Sequence, residues 1–211
     1  MSTIDTIIFD LGSVLISWDP YPVLLKAYNN DEEKTRWFLQ NICHMEWNTT
    51  LDAGISFEQA KQKRIAEYPE HAEYISIYLD NWEEMLLGPI EGTLDTLRKI
   101  KESGRYKLYA ITNWSREKFP IARKKYSFLS WFDDIVVSGE IGIVKPDEKI
   151  YRYAIERFEL SHPQQAVFID DRLENIEAAA AFGIKGIHFI NPEQMLAELN
   201  KLGIHLNSNH G

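Results

Sequence analysis

The chain has 211 residues, 45% hydrophobic and 26% charged, which suits one large domain or a domain with an insert and excludes disorder throughout. A formal net charge of −9, from 23 basic and 32 acidic residues with no basic patch, argues against nucleic acid or an anionic membrane as partner. No apolar run approaches the ~18 residues of a membrane helix, nothing near Met1 resembles a secretory leader, and the lone Cys43 excludes an internal disulfide; a cytoplasmic monomer or homodimer with a buried free thiol is expected.

An apolar, β-prone run from Thr6 ends at Asp10, with Gly12-Ser13 breaking the chain behind it. Asp19-Pro20 opens a helix, and Asn29-Asn30-Asp31 interrupts it before a second helix through Trp37 and Phe38. Helical segments follow around Ser56–Glu67 and Glu70–Leu87, with no strand expected before Gly88-Pro89, so residues 16–89 read as an all-helical insertion after one strand. Strands and helices then alternate. A helix from Glu91 to about Glu102 ends at Ser103-Gly104, a strand spans Lys107–Thr112, and Ser115 is expected to cap the next helix. A strand at Asp134–Val137, an apolar stretch from Gly142 that ends at Lys145-Pro146-Asp147, and a helix over Asp147–Phe158 come next. A strand at Ala166–Asp170, a helix through Ala178–Ala181, a strand at Gly186–Ile190 and a helix from Pro192 complete the pattern, and Asn207–Gly211 reads as a frayed end. Such alternation predicts an α/β fold with a mainly parallel sheet covered on both faces, built from residues 1–15 and 90–211.

The polar residues at the strand ends carry the chemistry, because open α/β sheets bind ligands outside the carboxyl ends of their strands. Asp10 is suited to nucleophilic attack on phosphorus, although an Asp there can also simply cap a turn. Gly12 and Ser13 can offer backbone N–H groups to a phosphate and a carbonyl to a metal. Asp170-Asp171 is an adjacent acidic pair that repels unless a cation intervenes. With Asp10 it can form an oxygen cage for Mg²⁺, while Asp171 through Glu174 also has the spacing of a helix capping box. Thr112 and Asn113 supply neutral donors for an oxyanion. Lys145 is either an ordinary surface lysine or the cation that balances this cluster.

The ordered set of Asp10, Thr112, Lys145-Pro146-Asp147 and Asp170-Asp171, each behind an apolar run, resembles the haloacid dehalogenase-like hydrolases over nearly the whole chain. The resemblance implies a Rossmann-like core with residues 16–89 as a mobile helical cap, Asp10 as nucleophile, Thr112 and Lys145 as phosphoryl binders, and Asp170 and Asp171 as Mg²⁺ ligands, Asp171 directly. One position departs from the pattern of the family's phosphatases, which carry a second Asp two residues after the nucleophile where this chain has Gly12. The departure implies a slow enzyme, proton transfer by water or a cap residue, or a reaction other than phosphate hydrolysis. It also resembles a sub-branch of small bacterial sugar-phosphate phosphatases with Gly at that place, so hydrolysis of a small phosphomonoester is the expectation. The alternatives are a metal-free 2-haloacid dehalogenase using the same Asp, against which the acidic pair speaks, and an idle domain that binds a phosphorylated metabolite or a partner. Trp18, His44, Trp47 and Tyr78 are candidates to face the substrate.

Overall fold

A computed structural model describes residues 3–206, so the tail at 207–211 lies outside the described residues. The chain begins with β1 (Thr6–Phe9) and β2 (Ile16–Trp18), followed by helices α1 (Tyr21–Ala27), α2 (Glu32–Asn41), α3 (Met45–Asp52), α4 (Phe57–Glu67) and α5 (Ala72–Asp80). After β3 (Leu86–Pro89) come α6 (Glu91–Ser103), β4 (Lys107–Thr112), α7 (Phe119–Lys125), β5 (Asp134–Val137) and α8 (Ser138–Ile141). The remainder is α9 (Glu148–Arg157), β6 (Ala166–Asp170), α10 (Leu173–Ala180), β7 (Lys185–His188) and α11 (Pro192–Lys201).

Five strands form one sheet in the order β5-β4-β1-β6-β7, and every neighbouring pair is parallel. Parallel pairing requires crossover connections, and helices supply them on both faces. The central strands have no polar face because both faces are covered. Ile7 and Phe9 of β1, with Leu108, Ala110, Val167 and Ile169 of its neighbours, pack with Leu97 and Ile100 of α6 and Met195 and Leu199 of α11. Ile8, Tyr109, Ile111 and Phe168 point the other way, onto Ile150, Tyr151 and Ala154 of α9 and Ile176 and Ala179 of α10. Burying each such side chain contributes about 1.5–3 kcal/mol, so the three central strands are the most firmly fixed part of the sheet. Their carboxyl ends lie at one edge: Phe9 is level with Ala110 and Ile169, and the Asp10 N–H donates to the Ile169 carbonyl at 2.8 Å.

Several sequence expectations need correction. The insertion is not purely helical, since β2 and β3 pair antiparallel, Ile16 opposite Pro89 and Ser17 opposite Gly88. Strands of three and four residues carry too little periodicity to be read from sequence, and the Gly88-Pro89 pair read as a boundary is itself the end of β3. The expected Glu70–Leu87 helix stops at Asp80, where the Asn81 side chain donates to the Ile77 carbonyl, and a 3₁₀ turn at Trp82–Met85 leads into β3. Helix α3 was not expected; its N-cap is His44, whose Nδ1 accepts from the Trp47 N–H at 3.2 Å. Ser115 closes a turn by accepting from the Glu117 N–H at 3.2 Å, and α7 starts later with Pro120 in its first turn. Residues 142–144 are loop, because Gly142 takes a left-handed φ of 72° that ends α8. Cys43 is buried and free, as expected. Among the described residues no helix is long and apolar enough to cross a membrane.

Candidate active site

Asp10 leaves β1 at the carboxyl edge of the sheet, 8% exposed, with Oδ1 accepting from the Leu11 N–H at 2.7 Å. Lys145 comes from the loop between α8 and α9 and is fully enclosed. Its Nζ lies 3.0 Å from Asp10 Oδ2 and donates to Asp170 Oδ2 at 2.7 Å, so one cation holds two carboxylates from adjacent strands. The surface-lysine reading is thereby removed. Burial alone would lower the Lys145 pKa, but Asp10 and Asp170 outweigh it and hold the ammonium above the ordinary lysine range. Burial pushes the Asp10 carboxyl up to about 7; Lys145 opposes this, while Asp170 and Asp171 add to it.

One carboxylate oxygen from each of Asp10, Asp170 and Asp171 lies within 4.8 Å of the others, a spacing that fits a hard divalent cation. Both oxygens of Asp170 are engaged: Oδ1 accepts from the Arg172 N–H at 2.8 Å, Oδ2 from Lys145, and both from Asn175 Nδ2 at 2.9 and 3.0 Å. The Asn175 Oδ1 beside it is buried with no partner among the described residues, an orphaned acceptor that also suits a cation or its water. Asp171 is half-buried, and burial followed by Asp170 raises its pKa. The capping-box reading of Asp171 fails, since α10 begins after Arg172 without a side-chain cap, and the carboxylate that accepts from the turn is Asp170.

The remaining candidates divide. Gly12 and Ser13 line the cavity beside Asp10, and a Cβ built on Gly12 meets nothing within 4 Å. Ser13 has a left-handed φ of 58°, which turns the chain back after Asp10. Thr112 is fully buried at the end of β4, and its hydroxyl lacks a partner among the described residues. Asn113 lines the cavity, but its amide is occupied: Nδ2 donates to the Lys145 carbonyl at 3.0 Å and Oδ1 accepts from the Lys145 N–H at 2.8 Å. Its side chain therefore fixes the lysine loop, which uses Oδ1 and one of the two Nδ2 hydrogens.

A cavity of about 140 Å³ opens over these groups. The insertion lines it with Trp18, Met45, Asn48, Thr49, Asp52 and Trp82, and the core adds Trp114, Arg172 and Asn175. Of the four substrate-facing candidates only Trp18 is there. His44 is used as a helix cap, Trp47 packs under the Arg64 guanidinium, and Tyr78 is fully buried with its hydroxyl on Asn48 Oδ1 at 3.2 Å. Asn48, Thr49 and Asp52 were missed because α3 itself was missed; their i, i+1, i+4 spacing would have set them on one side of it. The insertion is fastened to the core beside the cavity. Ser138 Oγ donates to the Asp52 carbonyl at 2.6 Å and accepts from the Trp114 N–H at 2.9 Å, and the Phe57 N–H donates to Glu117 Oε2 at 3.2 Å.

A family model described as haloacid dehalogenase-like hydrolase matches residues 4–183. The chain belongs to that family. This haloacid dehalogenase-like hydrolase is 26% identical over 199 residues to a drimenol cyclase of Aspergillus calidoustus, covering 93% of the chain but only 36% of the cyclase. It is also 26% identical over 208 residues to a sesquiterpene phosphatase of Aspergillus oryzae, covering 95% of the chain and 97% of that protein. Among solved structures it superposes on a haloacid dehalogenase family enzyme of Bacteroides thetaiotaomicron in complex with magnesium and inorganic phosphate, with a TM-score of 0.66, 23% identity, and 89% and 95% of the two chains covered. At that identity the likeness speaks to the fold alone, and the hydrolase has the family's sheet and helix layers.

Proposed function

We propose that this hydrolase cleaves a small phosphomonoester through an aspartyl-phosphate on Asp10. The observation that carries the reading is the Lys145 bridge between Asp10 and Asp170 beside Asp171: three acids converge on one cavity with a single internal cation, an arrangement that is costly unless an added cation completes it. Bound Mg²⁺ would neutralise charge developing between Asp10 and the phosphoryl oxygens, held by Asp10, Asp171, the Gly12 carbonyl and, through water, Asp170. In this reading Asp10 Oδ attacks phosphorus, Lys145 orients the nucleophile, and the Thr112 hydroxyl with the backbone N–H groups of Gly12 and Asn113 receives the phosphoryl oxygens; the Ser13 N–H, expected to join them, donates instead to the Ile16 carbonyl at 2.9 Å. Residues 16–89 act as the cap over the reaction. Indoles from Trp18, Trp82 and Trp114, with Asn48 and Thr49 on the same cavity wall, suit a compact body with apolar faces and hydroxyl edges. That favours a sugar phosphate, as in the phosphatase sub-branch with Gly at position 12.

Phosphate release from a panel of sugar phosphates, with Mg²⁺ and with EDTA, tests the reading. Mg²⁺-dependent release that Asp10→Asn and Asp171→Ala each abolish supports it. Equal rates in EDTA refute the metal role. The absence of a second acid at Gly12 favours one rival, a dehalogenase; chloride released from 2-chloropropionate regardless of EDTA would select it.

A further inference from the structure

Gly12 supplies no carboxyl two residues after the nucleophile, and the Lys145 ammonium is held between Asp10 and Asp170, so the leaving oxygen must find a proton elsewhere. Asp52 is the carboxyl that the insertion brings to the same cavity, at the last position of α3. Its side chain has no hydrogen-bond or ion-pair partner among the described residues, unlike Asp10 and Asp170, whose oxygens are engaged. Its backbone is anchored twice. Ser138 Oγ ties its carbonyl to the end of β4, and two residues on, Gly54 at φ +100° approaches α8 so closely that a Cβ there would lie 3.0 Å from the Gly139 carbonyl oxygen. A free carboxyl on a fixed backbone facing a reaction cavity is how a proton-transfer group is presented.

We infer that Asp52 is the general acid and base of this enzyme, in place of the carboxyl missing at position 12; the inference rests on the phosphatase reading above. In the first step Asp10 Oδ bonds to phosphorus, the bond to the leaving oxygen breaks with its electron pair, and that oxygen takes the proton of the Asp52 carboxylic acid. In the second, the Asp52 carboxylate takes a proton from water as the water oxygen bonds to phosphorus and the Asp10–phosphorus link breaks. Inorganic phosphate leaves, Asp10 is again a carboxylate and Asp52 again an acid. Its surroundings keep the proton available near neutral pH: burial pushes Asp52 up to about 7, against the pull of Lys145. The other ionisable groups around it are Asp10, Asp171 and Arg172 across the cavity, Tyr78 from α5, and Glu140, which is the titratable group of α8 and is exposed.

The test compares leaving groups in Asp52→Asn, using p-nitrophenyl phosphate, whose leaving oxygen needs no proton, and the best alkyl phosphate of the sugar-phosphate panel. Asp10 phosphorylation from the alkyl ester should slow by about 10²–10⁴-fold, while the nitrophenolate burst stays within about threefold of wild type and phospho-Asp10 accumulates. The wild-type alkyl rate should fall as pH rises through the Asp52 titration, and the variant should lose that limb. Asp52→Ser, which also lacks an acid, must show the same selective loss, so that one poorly folding variant does not decide the matter. Equal slowing of both esters, or of neither, overturns the inference and leaves the phosphatase reading intact. A wild-type enzyme that releases phosphate from no ester, or an active Asp10→Asn, overturns the phosphatase reading instead and takes the Asp52 role with it.

Discussion

Asn113 and Lys145 are joined reciprocally, amide N–H to carbonyl at 3.0 Å and backbone N–H to amide oxygen at 2.8 Å, so the end of β4 dictates where the lysine loop sits. Asn113→Ala should therefore act through Lys145. Losing two part-buried hydrogen bonds should cost about 1–3 kcal/mol, and turnover should fall more than substrate affinity does, because the displaced ammonium no longer meets Asp10. Thermal melting and a separation of kcat from KM check this; a change in KM alone would mean that Asn113 contacts substrate directly.

Lys145→Met should abolish turnover and destabilise the metal-free protein by about 3–5 kcal/mol, since it leaves Asp10 and Asp170 enclosed and facing each other without a cation. Lys145→Arg should rescue little, because a planar fork cannot take the place of one point charge between two oxygens. Denaturant unfolding with and without Mg²⁺ measures the effect, and added Mg²⁺ should recover part of the stability loss in the Met variant.

The sheet was legible because β1, β4 and β6 are apolar on both faces and end at polar residues, which marked Asp10, Thr112 and Asp170 together. Lys145 was legible as chemistry, and the apolar stretch before it is a loop that follows a left-handed glycine. Of the residues the insertion brings to the cavity, only Trp18 was legible. Helix α3 is capped by a histidine, an uncommon cap, and β2 and β3 are specified by pairing with each other across the whole insertion rather than by local pattern. The part Asn113 plays in holding the lysine loop was not legible either, because nothing in one dimension shows which backbone groups its amide meets.

Gly12→Asp should be tolerated in the fold, since a Cβ there meets no atom within 4 Å and the backbone is not left-handed. The added carboxyl should raise alkyl phosphate turnover by about tenfold or more, and should restore much of the activity lost in Asp52→Asn. A double variant no better than Asp52→Asn alone would show that a carboxyl at position 12 cannot reach the leaving oxygen.

A carboxyl whose pKa is raised from 3.8 to about 7 on folding favours the native state below its unfolded pKa and loses that contribution as pH rises toward and through 7. The metal-free wild type should therefore become less stable between pH 4 and 7 through Asp52. Asp52→Asn should melt higher than wild type at pH 8, with the difference shrinking toward pH 4. Melting curves across that range in EDTA measure it, and a constant difference would place the Asp52 titration outside the range.

The ribbon of β2 and β3 bears on how such a chain can assemble. Thr6 pairs with Lys107 across the entire insertion, a long loop for a parallel contact to close. Because Ile16 and Pro89 are neighbours, helices that form locally and bring those two residues together shorten the effective loop roughly fourfold, which lowers the closure cost by about 1 kcal/mol. The segment that roofs the cavity in the native enzyme thus also serves as a scaffold on which the central strand finds its partner.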